Sequence, residues 1–272
     1  MFFYRLFLLF FLVGLSYGSL AQKAKASYNI EKEPRSGFLI IPGIKTAEIN
    51  ASRYYMYDHE VSVRDYQEFM NYLKKEQKYD VLNKVQPDST KWIFEEKVPF
   101  QKYFYSNIYL DFPVVCISYE AAVEYCKWIE SLINKSKKDS RIAVVRLPTN
   151  FEWVNAVYWP HPDAVYATGA KDKLVNEKQC YLANYRAEAQ IYMQKKGSLI
   201  PIRPVNSFNP SMVGTYNMAG NVAEMLLSRG KMKGGHWDSE EEDLKVAPIK
   251  NFDESSVYVG FRPVMYYVET PK

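Results

Sequence analysis

The clearest hydrophobic periodicity in the chain begins after Ser62. Tyr66, Phe69, Met70 and Leu73 fall at i, i+3, i+4 and i+7, which predicts one buried helical face. Ser62 is placed to cap that helix, with Asp65 able to reach back as in a capping box. A second stripe, Ala122, Tyr125, Cys126, Ile129 and Ile133, predicts a helix opened by Ser118. The run Thr149-Asn150-Phe151-Glu152 matches the capping-box pattern and should start a short helix carrying Trp153 and Ala156. Strands are expected at Phe38 to Gly43, Pro113 to Ile117, Ile142 to Leu147 and Val257 to Val264. From Glu76 to Asp111 the aromatics are scattered without a period, which predicts an irregular insertion. After Tyr158 no long periodic segment occurs, so loops, tight turns and short strands should dominate.

The first residues form a different pattern. Arg5 precedes an apolar run, Leu6 to Leu15, too short to span a bilayer comfortably. Ser19-Leu20-Ala21 then resembles a cleavage site, so residues 1–21 are expected to be a signal peptide removed before Gln22. The alternative is an N-terminal membrane anchor. No cysteine lies near the site, which leaves no usual route to a lipoprotein. Residues 22–44 are expected to be a flexible lead-in, ending in the first strand, before one domain at 45–268. The chain is therefore expected to be exported: periplasmic or outer-membrane associated, or secreted.

The formal charge of +4 includes Arg5, so cleavage would leave +3, and nothing in this mild balance points to nucleic acid. Tyrosine is abundant, 23 of 272 residues, alongside 14 prolines and 12 glycines. That mixture suits a loop-rich domain in which aromatic bodies fill irregular space while their hydroxyls find partners. The three cysteines are Cys116, Cys126 and Cys180, an odd count that leaves at least one thiol unpaired. A disulfide between Cys116 and Cys126 stays open, with a buried small hydrophobe the simpler role for Cys126. Cys180 has no neighbouring histidine or acid that would mark an activated nucleophile.

Five motifs then occur in order: RLPTNFEW (Arg146 to Trp153), PVNSFNPS (Pro204 to Ser211), GTYNMAGNVAE (Gly214 to Glu224), KGGHW (Lys233 to Trp237) and GFR (Gly260 to Arg262). Together with Glu60-Val61-Ser62 they resemble the formylglycine-generating enzyme family, or sulfatase-modifying factor domain. The resemblance covers roughly residues 45 to 266. It implies an α+β fold, a loop-rich variant of the C-type lectin fold. It also implies structural roles for Arg146, Trp153, Asn221, Trp237 and Arg262. Arg146 and Arg262 are expected to tie loops through charge-assisted bonds.

Calcium is common in that family. One site would map to the side chains of Asn217 and Glu224 and the carbonyls of Gly220 and Val222, hard oxygens of the kind calcium takes. The alternative is a structural turn in which Glu224 is salt-bridged. A second site would begin at Asn184 and Tyr185, but the required aspartate position falls on Gly197.

The family's copper(I) ion is held by two thiolates, a soft ligand set. Those positions fall here on Ser239 and Leu244, so no copper and no formylglycine formation are expected. A related iron-dependent branch uses three helical histidines. Only His59, His161 and His236 are present here, without that spacing. Gln86-Pro87-Asp88 resembles a lectin sugar-binding loop but is read as a proline turn, with sugar binding the alternative. Glu240 to Asp243 is most simply a solvated acidic loop.

Two functional readings compete. In the first, the chain is an exported non-catalytic module that binds envelope proteins, similar to the gliding-motility and type IX secretion proteins that carry this domain. In the second, it is a metal-dependent oxidoreductase with a divergent site built from His236, Asp238, Glu240 and neighbours.

Overall fold

All three capping signals start helices in the structure, a computed structural model that describes residues 38–42, 53–136, 141–159 and 161–269. The expected signal peptide and the lead-in as far as residue 37 lie outside the described residues, as do 137–140 of the charged turn after the second helix. Helix α1 (Val63–Lys75) opens with the Ser62 hydroxyl accepting from the Asp65 amide at 3.1 Å, while the Asp65 carboxylate accepts from the Ser62 amide at 3.0 Å. Its face of Tyr66, Phe69, Met70 and Leu73 is buried, worth about 1.5–3 kcal/mol for each large apolar side chain.

The expected irregular insertion contains two short helices, α2 (Tyr79–Lys84) and α3 (Phe100–Tyr105), and a 3-10 turn at Ser89–Lys91. Each has two turns at most, too short for a period to register in the sequence. Its aromatics are core residues: Trp92 packs on Tyr103 at 4.4 Å, and the Tyr103 hydroxyl donates to the Pro113 carbonyl at 2.7 Å. In the Gln86-Pro87-Asp88 turn, Asp88 caps the 3-10 turn by accepting from the Thr90 amide.

Helix α4 (Tyr119–Ser136) is capped by Ser118, whose hydroxyl accepts from the Ala121 amide at 3.1 Å. Pro113 to Ile117, expected as a strand, is buried, but among the described residues it forms a single β-bridge, Pro113 with Ser62. Cys116 sits at φ +60, which turns the backbone out of an extended path. Cys116 and Cys126 are both buried free thiols, so the disulfide left open by the sequence is not formed. Burial pushes the Cys116 thiol up to about 12 and the Cys126 thiol upward as well.

Two four-stranded sheets complete the frame. In the first, β1 (Phe38–Pro42), β2 (Arg53–Tyr57), β8 (Val264–Glu269) and β3 (Arg141–Arg146) lie in that order, all antiparallel. In the second, the order is β6 (Lys250–Asn251), β5 (Lys231–Lys233), β4 (Ala223–Met225) and β7 (Val259–Gly260), with β4 and β7 parallel. The single strand expected at Val257 to Val264 is therefore two, in different sheets, with Arg262 at the crossing. Helix α5 (Asn150–Tyr158) carries the Thr149–Glu152 capping box.

Helix α6 (Arg186–Lys196) was not expected after Tyr158. Only Glu188 and Ala189 of this helix are buried, so no apolar stripe announces it. The described residues belong to one unit of α+β architecture, Lys32–Lys272, with a core around α1, α4 and the insertion and a second cluster around Trp153 and Leu244.

Candidate functional site

The GTYNMAGNVAE turn, the chain after β2 and the chain after β7 are laced together by backbone bonds. The Tyr216 amide donates to the Asp58 carbonyl, and the Val61 amide to Phe261. This lacing brings Glu60, Asn217, Asn221, Glu224 and Arg262 into one buried group.

Arg262 is fully buried and grips one oxygen of Glu224 through Nε at 3.0 Å and Nη2 at 2.7 Å. Its remaining donors reach the Tyr57 carbonyl at 3.0 Å and the Tyr216 carbonyl at 2.6 Å. The other Glu224 oxygen accepts from the Trp153 indole at 2.8 Å. Glu224 is thus salt-bridged, as in the alternative to the calcium site. A charge pair with no solvent access needs such complete bonding, because desolvation otherwise exceeds the Coulombic gain.

Glu60, missed in the sequence as a site residue, is the second acid of the group and is wholly buried. Its two oxygens accept from Asn217 Nδ2 at 3.1 Å and Asn221 Nδ2 at 3.0 Å. Burial, with Glu224 adding to it, raises the Glu60 carboxyl to about 8 against the pull of Arg262, Asn221 and Asn217.

Asn221, at φ +63, saturates its amide. Nδ2 serves Glu60 and the Arg203 carbonyl, while Oδ1 accepts from the Arg203 amide and from Asn184 Nδ2. Gly220 beside it must be glycine: a Cβ there would meet the Asn184 carbonyl oxygen at 2.1 Å. Asn217 spends Nδ2 on Glu60 and on the Val205 carbonyl at 3.0 Å, and its Oδ1 is buried without a partner.

The motif around Gly234 and Gly235 builds the neighbouring region. Ser239 folds back on His236, its hydroxyl accepting from the His236 amide at 3.0 Å and its own amide donating to the His236 carbonyl at 2.9 Å. Leu244 is fully buried in the second core cluster, where a Cβ on Gly235 would meet its Cδ1 at 2.8 Å. Burial pulls the His236 ring down to about 4, opposed by Asp238 and Asp243, so it is neutral at pH 7. Its Nδ1 accepts from the Asp238 amide at 3.2 Å.

Asp238 and Glu240, the other members of the divergent site, pair with Arg186 at the start of α6. Trp237 stacks on Tyr258 at 5.0 Å and lies 5.6 Å from Phe94 of the insertion. Lys233, also missed, is buried and donates to the carbonyls of Val246, Ala247 and Pro248 at 2.6, 3.3 and 2.9 Å. Among the described residues, no three His, Cys, Asp or Glu side chains converge on a point. Arg146 stands apart, bidentate to Glu152 at 2.8 and 3.0 Å and bonded to the Leu147 carbonyl.

As a calcium site, the group offers hard oxygens in part. The partnerless Asn217 Oδ1 and the Glu60 carboxylate are suitable donors, while Glu224 is shared with Arg262 and Trp153. Glu60 is the residue no sequence spacing connected to Asn217, which lies 157 positions away.

A model of the sulfatase-modifying factor enzyme 1-like domain matches residues 14–266. Among solved structures, the chain is similar to CarF at 18% identity, over 82% of this chain and 92% of that one, with a TM-score of 0.53. It is also similar to PvdO from Pseudomonas aeruginosa at 17% identity, over 79% and 80% of the two chains, with a TM-score of 0.54. At such identities the likeness shows the fold. Among curated proteins none matches.

Proposed function

Because the chain belongs to the sulfatase-modifying factor enzyme 1-like domain family, we propose that it is a member without the founding activity, an exported structural or protein-binding module of the bacterial cell envelope, of the gliding-motility or type IX secretion kind. The supporting observation is the use made of the two copper positions. Ser239 closes a turn onto His236, and Leu244 fills the core against Gly235. A hydroxyl and a buried methyl group offer copper(I) nothing in place of two thiolates. The rival divergent site has its carboxylates neutralised by Arg186, with a histidine bonded to its own turn.

Tagged protein purified from gently crosslinked native envelopes should bring secretion or motility components with it in stoichiometric amounts. The same protein supplied with copper(I) or iron(II) should consume a cysteine-containing peptide and dissolved oxygen no faster than the metal ion does without it. Conversion of that peptide's cysteine to an aldehyde would overturn the reading.

One calcium ion belongs to the proposal: of the expected set Asn217, Glu224 and the carbonyls of Gly220 and Val222, Glu224 is taken by Arg262 and Trp153, and Glu60 stands in for it beside Asn217. A dication supplies there the positive charge that Glu60, raised to about 8 by burial, otherwise obtains by keeping its proton. Calcium at about one hundred times its Kd should stabilise by roughly 2.7 kcal/mol, a rise of about 5–10 °C in Tm for a chain of this size. The variant Asn217→Ala, which spares the Glu224–Arg262 pair, should lose that rise. Equal melting of the wild type with and without calcium would remove the ion from the proposal.

A further inference from the structure

A cavity of about 230 Å³ lies between the segment 167–182 and the turn 208–219, on the far side of Asn217 from the GGHW motif in sequence. Among the described residues no charged side chain lines it. Its polar wall is made of hydroxyls and amides, among them Thr168, Tyr181, Asn176 and Asn209, with the Phe208 ring as an apolar surface and the Cys180 thiol at the edge.

Several of these groups retain bonding capacity. The Asn176 carbonyl oxygen accepts from the Lys178 and Cys180 amides, which leaves its NH₂ group for a ligand. The Thr168 oxygen accepts from the Ala170 amide at 3.2 Å and keeps its O–H as a donor. Asn209 is exposed, and among the described residues nothing bonds to its side-chain amide.

The backbone around the cavity is held in uncommon conformations. Phe208 lies at φ +64 and Asn217 at φ +50 in the wall, and Gln179 at φ +59 precedes Cys180. A bulky aromatic residue in the left-handed region is uncommon and persists only where its surroundings hold it. Arg203 packs beside this position: its guanidinium lies 5.4 Å from the Phe208 ring and 3.6 Å from the Tyr192 ring, and it pairs with the buried Glu188. Such enforced outliers concentrate at ligand clamps.

We propose that this cavity binds a single neutral sugar ring, the end unit of a glycan. The absence of lining charge disfavours phosphate, carboxylate and ammonium ligands, which need a counter-charge once desolvated. The volume is below the roughly 300–1,000 Å³ of pockets for drug-sized ligands and suits one ring. A ring of hydroxyls needs partners that both donate and accept, which hydroxyl and amide side chains do and charged ones do not. The C–H face of such a ring would pack on Phe208. The inference rests on the cavity and not on the calcium or envelope-module readings, although Asn217 belongs both to this wall and to the calcium group.

Cys180 supplies the reporter. It is the exposed thiol, while Cys116 and Cys126 are buried. The rate of Cys180 alkylation by iodoacetamide would be followed against glucose, galactose, mannose and N-acetylglucosamine, with glucose 6-phosphate as the charged control. Calorimetry would be run on the same samples. At ten times its Kd, a bound neutral sugar should slow alkylation about tenfold. The exposed-site variant Asn209→Ala should raise the sugar concentration needed about tenfold, without shifting Tm. Thr168→Val should raise it as well, with a small fall in Tm from the lost Ala170 bond. If no neutral sugar gives both heat and protection, the proposal fails. Heat without protection of Cys180 would place the sugar elsewhere, and equal protection by the phosphorylated control would refute a neutral site.

Discussion

Replacing Glu60 by glutamine should flatten the pH dependence of this protein's stability in the absence of calcium. Glu60 is wholly buried, and its carboxyl rises from 4.5 to about 8, with burial the main cause and Glu224 reinforcing it. Between those two values the folded state keeps a proton that the unfolded chain has released. The folded state therefore binds more protons, and stability falls as pH climbs from about 4.5 and levels off above about 8. A gap of that size corresponds to roughly 5 kcal/mol at full swing. Arg262, Asn217 and Asn221 already oppose the shift, so this figure is what remains after their help.

The assay is urea denaturation of wild type and Glu60→Gln at intervals from pH 5 to 8.5 in a calcium chelator. The variant starts lower, because one glutamine N–H must oppose Asn217 or Asn221, a mismatch costing about 1–3 kcal/mol. Its free energy should nevertheless decline far less with pH than that of the wild type. Saturating calcium should remove most of the wild-type slope by standing in for the proton, and leave the variant's slope unchanged. Parallel pH profiles for the two proteins would refute the assignment of a proton to Glu60, and with it the account of why the site would take a cation.

Three further outcomes follow from the packing. Leu244→Ala should destabilise by about 2–5 kcal/mol in a denaturation experiment, since Leu244 is fully buried and backed by Gly235; a cost under 1 kcal/mol would mean that the loop after Gly235 is not core. Trp153→Phe removes the indole donor from Glu224 and should cost about 1.5–3 kcal/mol, the worth of a bond to a charged group. Unchanged stability in urea denaturation would show that the indole bond is dispensable. Gly220→Ala should fail to fold at 37 °C by circular dichroism, because its Cβ would stand 2.1 Å from the Asn184 carbonyl oxygen at φ +76; a native-like spectrum would show that the Asn184–Gly220 bridge is dispensable.

Local pattern determined the parts of this protein that local physics controls. Ser62, Ser118 and Thr149 were legible as helix starts, since a cap and its partner lie three residues apart and need no tertiary context. The stripe Tyr66 to Leu73 was legible because one long helix buries one face. The ordered motifs from Arg146 to Arg262 carried the family and so the α+β fold.

Tertiary structure decided the rest. Helix α6 buries Glu188 and Ala189 rather than an apolar stripe, so its inward face is defined only once Arg203 pairs with Glu188. The aromatics of the insertion become core because α2 and α3 fold back over α1, an arrangement with no period to read. Val257 to Val264 breaks into two strands because Arg262 must turn inward to Glu224 between them. The site itself was half visible. Asn217 and Glu224 stood in one motif, but Glu60 joins them from 157 residues away, and Arg262 takes the carboxylate that the motif offered to a metal. Charge pairing in a dry interior depends on which groups the fold brings within about 3 Å, and sequence separation carries no record of that distance.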